Sequence, residues 1–230
     1  MSVEPMSLSR SSELPAVLTA LEFVRAVQRC AGTTPHDSPE ITQERLNFRL
    51  NYQKGLDEGW TRWAETGDWS AYVIAPTEQG LFEVLFARLP ERTGARSESS
   101  RAVFSTLTDA AKLVMVSVLD SVRTNFGLDS LFVIFRSRGL DDRLVKSSAH
   151  ASEIAPLVAR LSPERAQLAD QIQRISLRED PSTAALGFPG VEPYMNVLPL
   201  SLGEVAGALM SGLPAEVAEC VDTFIADRDA

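Results

Sequence analysis

Two histidines and two cysteines in 230 residues leave little material for chemistry. They are too few for most histidine-rich or cysteine-rich metal sites, and neither histidine has a cysteine or histidine at metal-ligand spacing. No HExxH, no CxxC, no Walker A loop, no GxSxG elbow and no GxGxxG after a strand occurs in the sequence. No apolar run approaches the ~20 residues a membrane-spanning helix needs; the longest compact one, LFVIF at Leu131 to Phe135, has the length of a strand. Basic residues are also scarce. Lys and Arg number 22 against 31 Asp and Glu, a net charge of -9, which excludes nucleic acid and anionic membrane as bulk partners because both attract positive surfaces.

Cys30 and Cys220 stand far apart, each among apolar neighbours, and read as buried free thiols. His36, in the turn cluster TTPHDSP, and His150, in SSAHAS, read as solvated loop histidines. The opening MSVEPMSLSR carries Glu4 and no apolar h-region, so it does not read as a signal peptide. A soluble, cytoplasmic chain is expected.

What is present is ordinary globular composition, 44% hydrophobic and 23% charged, enough to build a real core. Residues 1–11 read as a flexible tail and residues 12–230 as one α+β domain with helices on a mainly antiparallel sheet. Val17, Leu21, Val24, Val27 and Ala31 recur at helical spacing and Gly32 stops that helix. Leu46, Phe48, Leu50 and Tyr52 alternate as a strand. Trp69 to Ala75 and Leu81 to Arg88, rich in β-branched and aromatic residues, predict an antiparallel hairpin. Pro90 to Ser100 reads as a mobile loop. Thr106 and Asp109 predict a capped helix from Leu107 to Phe126, with Ala111, Val114, Val118 and Val122 inward. LFVIF is expected as a central strand. A helix is expected from Ser162 and Pro163, with Leu168, Ala169, Ile172 and Ile175 inward. Tyr194 to Leu200 is expected as an edge strand. Ser201 and Glu204 cap one further helix, Gly212 ends it, and Pro214 opens the last.

Two clusters invite functional readings. Arg136, Arg138, Arg143 and Lys146 form the one basic group; with Asp141 or Asp142 they suggest a small phosphorylated substrate, or simply a polar strand end. The other is GLDEGWTRWAETGDW. Trp60, Trp63 and Trp69 are interleaved there with Asp57, Glu58, Glu65 and Asp68 and spaced by glycines. Tryptophan is enriched at binding hot spots, and acidic neighbours steer basic partners. Trp69, on the predicted strand, reads as core. Asp57, Glu58, Trp60, Trp63, Glu65 and Asp68 form the candidate partner-binding loop.

GLFEVLFAR, RAVFSTLTDAAKLVMVSVLDSVR, FRSRGLDDR and, more weakly, LPLSLGEVAGALMSGLP together resemble a family of actinobacterial-type immunity proteins. That family is similar to the antitoxins paired with necrotizing-toxin-type NAD glycohydrolases of polymorphic toxin systems. The resemblance implies a non-enzymatic protein that binds one cognate protein toxin and blocks its active site. The acidic charge of the chain suits a basic cleft there, and the residue inventory leads us to expect no catalytic residues, cofactor or metal. A secretion-associated chaperone is the alternative expectation, with the phosphate enzyme behind it.

Overall fold

The computed structural model describes residues 8–89, 94–161 and 166–229. Among them, helices pack on one eight-stranded antiparallel sheet, an α+β architecture. The first helix, α1 (Leu14–Cys30), opens on Pro15, whose missing N–H costs nothing in a first turn. It ends where Gly32 takes φ +69°. Val17, Leu21, Val24 and Val27 are buried along its stripe. Leu8, ahead of it in a short 3-10 turn (Leu8–Arg10), is fully buried, so the expected flexible tail is anchored there.

Strands β1 (Glu40–Thr42) and β2 (Arg45–Leu50) lead to two short helices, α2 (Tyr52–Asp57) and α3 (Trp63–Thr66). Tyr52, expected at the end of a strand, opens α2 instead. The hairpin follows as read: β3 (Ser70–Pro76) and β4 (Phe82–Arg88) pair antiparallel, with Val73 opposite Leu85. Next comes β5 (Ser97–Phe104), which places Ser97 to Ser100 in the sheet and not in a loop. The rest of that expected loop includes residues 90–93, outside the described residues.

Helix α4 (Leu107–Asn125) is the spine of the core. Thr106 caps it by accepting from the Asp109 N–H at 3.0 Å, and its hydroxyl donates to the Asp109 carboxylate at 2.7 Å. LFVIF is a helix, α5 (Leu131–Arg138), and not a strand. The reason is local: Asp120 of α4 accepts from the N–H groups of Leu131 and Phe132, and Ser130 accepts from that of Val133. Gly139, at φ +79°, ends it after two turns. Beyond lie β6 (Leu144–Ser148), α6 (Ala151–Ala159), β7 (Gln173–Leu177) and β8 (Ala184–Gly187).

The helix expected from Ser162 is corrected. Ser162 and Pro163 lie outside the described residues, Ala169 sits in a 3-10 turn, and Ile175 belongs to β7. Ile172 and Ile175 are buried as expected, but Leu168 is exposed. The predicted edge strand at Tyr194 is also corrected: Pro189–Val197 is a 3-10 segment whose Met195 and Val197 enter the core. Proline at 189, 193 and 199 removes the donors a ladder would need. Helices α7 (Leu202–Met210) and α8 (Ala215–Asp229) complete the chain, α7 with the expected Ser201–Glu204 capping box.

The strand order is β1-β2-β3-β4-β5-β8-β7-β6, so β1 and β6 are the edges. One sheet face, with Leu46, Phe48, Ile74, Val84 and Phe104, packs under α1 and α4. The other carries Ala71, Val73, Ala75, Leu85 and Ala87 against Trp69. Further along that face, Val103 and Leu186 meet Leu157 of α6.

Candidate functional site

The tryptophan segment is a small lobe between β2 and β3, built of α2 and α3 rather than loop. Helix α2 ends in a Schellman motif: Gly59 N–H reaches Leu56 O at 2.9 Å and Trp60 N–H reaches Gly55 O at 3.2 Å. This motif needs a left-handed residue, and Gly59 supplies it at φ +69°. The chain then turns through Arg62, left-handed at φ +60°, into α3.

Trp63 is the keystone of the lobe. Its ring lies between Gly55 and Gly67, so close that a Cβ on either would fall within 2.0–2.2 Å of ring carbons. Its indole N–H donates to Asn51 O at 3.2 Å. Trp69 packs on the second face of the sheet and donates to Trp63 O at 3.1 Å. The Arg96 guanidinium stacks 3.7 Å from the Trp69 ring centroid and donates to the carbonyls of Gly67 and Trp69. Two of the three tryptophans are therefore structural.

Trp60 is different. It is 53% exposed, touching Trp63 edge-to-face at 4.7 Å, and Leu56, four residues before it, is 42% exposed. Asp57, Glu58, Glu65 and Asp68 are all exposed on the same lobe. Glu65 pairs with Arg62 at 3.0 Å, and Asp57 accepts from Gln53 at 2.7 Å. Of the six candidate residues, the structure turns five outward and uses Trp63 to hold them. Leu56 was missed in the sequence, although an apolar residue in the last turn before a glycine helix stop, here Gly59, is a readable signal.

The basic cluster does not converge. Arg143 grips both oxygens of Asp141 at 2.9 Å, which holds that carboxyl below the usual range, and Lys146 pairs with Glu192. Arg138 borders a cavity of ≈ 300 Å³ together with Asp141, Asp142 and Asn196, an acid-bearing wall unsuited to phosphate.

Two expectations need correction here, His36 and the cysteines, while His150 is exposed as expected. His36 is not solvated: it is buried, stacked on Phe48 at 4.5 Å, and its Nδ1 lies 3.1 Å from Gln28 Oε1. Burial, with the Arg25 guanidinium nearby, pulls its pKa down to about 4. His150 is exposed at the start of α6, where Glu153 accepts from its backbone N–H. The cysteines are neither free nor buried, Cys30 being half-buried. Cys30 at the end of α1 and Cys220 on α8 form a disulfide, Cα atoms 5.7 Å apart, with Cys220 exposed.

No protein-family model, no curated protein and no solved structure matches this chain. No helix among the described residues is long and apolar enough to cross a membrane.

Proposed function

We propose that the chain is an immunity protein that binds a cognate toxin, of the NAD-glycohydrolase type, and blocks its cleft. The observation that carries this reading is the exposed Trp60 ring on a lobe pinned from within by Trp63. A rigid aromatic anchor loses little entropy on docking, and burying it returns ~2–4 kcal/mol. The exposed carboxylates of Asp57, Glu58 and Asp68 suit a cleft that binds a phosphate-bearing dinucleotide, since such clefts are basic. Inhibition of this kind requires no catalysis by the chain itself and no cofactor.

The test is NAD cleavage by a purified candidate toxin of the NAD-glycohydrolase type from the same genome, titrated with the purified protein. Trp60→Ala should weaken inhibition through faster dissociation at unchanged melting temperature. Asp57→Asn with Glu58→Gln should slow association at low salt only. A folded Trp60→Ala variant that inhibits like the parent overturns the assignment of this surface, and failure of the parent to inhibit overturns the function.

The same reading places the chain in the cytoplasm beside its toxin. Disulfides are rare in that compartment. Trapping thiols at lysis therefore tests the placement: Cys30 and Cys220 modified supports it, and a protected pair points to an oxidising compartment.

A further inference from the structure

On the second face of the sheet, far from the tryptophan lobe and at the other end of β3, stands Glu83. It lies in β4 between Ala75 of β3 and Val103 of β5, and is 2% exposed. Its Oε2 is 2.8 Å from Arg160 Nε, at the end of α6. Its Oε1 has no hydrogen bond of good geometry, and neither has Ser100 Oγ, the buried hydroxyl of the neighbouring strand that lies close enough to ease the burial of this carboxylate. Burial pushes this carboxyl above the usual range, although Ser100 and Arg160 counteract it.

A buried carboxylate oxygen without a donor is costly, and such atoms are few in folded proteins. Neighbouring charges do not relieve it. Glu98, on the same face, is held by Arg45 at 2.8 Å through both oxygens and lies 3.9 Å from Arg160. Arg160 itself is 45% exposed, a surface side chain reaching inward.

A cavity of ≈ 420 Å³ opens here between the β3–β4 turn and α6. Glu83, Glu78 and Arg160 supply its charges, while Pro76, Ala155 and Ala159 supply apolar wall. An aliphatic stem would lie along that wall, and a cationic head with several N–H donors would satisfy Glu83 Oε1.

We propose that this cavity is a binding site for an alkylammonium group, with Glu83 as its anion and Arg160 as a displaceable stopper. The ammonium would come from a free polyamine or from a lysine side chain of another protein. This inference does not rest on the toxin reading.

Calorimetric titration of the full chain with cadaverine and with Nα-acetyl-lysine N-methylamide distinguishes the sources; hexanol is the uncharged control. Saturable binding of cadaverine alone identifies the free amine, and binding of the lysine derivative identifies the side chain. Glu83→Gln should weaken binding by about tenfold or more, the value of a charge-assisted hydrogen bond. Arg160→Met should tighten it severalfold, because the ligand no longer competes with a resident cation. Should Glu83→Gln fail to fold, Arg160→Met decides: tighter binding supports the site, unchanged or weaker binding overturns it. No saturable binding of either probe, or equal binding of hexanol, also overturns it.

Discussion

Gly55→Ala should destabilise this protein, against the ordinary rule for helices. Gly55 sits inside α2 with unremarkable backbone angles, where alanine normally gains ~0.5–1 kcal/mol. Here the new Cβ would stand 2.0 Å from Trp63 Cε2 and 2.1 Å from its Nε1. Carbon atoms pack at roughly 3.5–4.0 Å, so the ring must move by well over an ångström. It has nowhere to retreat, because Gly67 touches its other side. Expulsion of the ring sacrifices the bond to Asn51 O, worth ~1 kcal/mol. It also exposes roughly 100 Å² of a half-buried indole, worth ~2.5 kcal/mol. After the helix gain is allowed for, a net loss of about 2–3 kcal/mol remains. Urea denaturation followed by tryptophan fluorescence would show it, with a red-shifted native spectrum as the ring meets water. Gly207→Ala is the matched control: Gly207 lies in α7 with open space around its would-be Cβ, and should gain the usual ~0.5–1 kcal/mol. If both variants shifted the denaturation midpoint in the same direction, the clamp around Trp63 would be wrong.

Reduction of Cys30–Cys220 should lower stability by up to about 5 kcal/mol, since a cross-link spanning 190 residues removes much chain entropy from the unfolded state; melting with and without reductant measures it. His36 is buried neutral, with its pKa lowered from 6.5 to about 4, so below pH 6.5 the unfolded chain binds a proton the folded one refuses. Stability from this group is full above pH 6.5 and falls by about 3 kcal/mol by pH 4; a His36→Asn variant whose denaturation midpoint tracks the parent's across that window refutes it. Val118→Asp puts an unpaired charge into the core beneath α4 and should cost ~3–5 kcal/mol, so an unchanged melting temperature would mean the buried stripe of α4 is misplaced.

Elements with a strong period were legible in the sequence. The stripes of α1 and α4, the β3–β4 hairpin and two helix caps follow from spacing and capping chemistry alone. LFVIF misled because a five-residue apolar run carries no period; the Asp120 carboxylate, eleven residues upstream of Leu131, decides for helix. Strand β8, Ala-Ala-Leu-Gly, went unseen because small residues have no β propensity of their own, and it takes its place from its ladders to β5 and β7. In the candidate site the residue types were legible but their division of labour was not. Glycine at 55 and 67 signalled loop, whereas those positions are bare because an indole fills the space. His36 and the cysteine pair depended wholly on long-range packing, which spacing along the chain does not encode.

The bond between Cys30 and Cys220 also gives the molecule a mechanical character. It makes a covalent ring of everything from the end of α1 to the middle of α8, and the whole sheet lies inside. A motor pulling from the C-terminal side would meet this ring at Cys220. From there it must swallow two strands abreast, or stall. Under tension from both ends the oxidised chain would pay out only its tails. The chain from Cys30 to Cys220, a separation of 190 residues and a contour of roughly 600–700 Å at about 3.3–3.6 Å per residue, would stay hidden from the pull. An intact disulfide thus sets how far this protein can be stretched or threaded, independently of how stable its fold is.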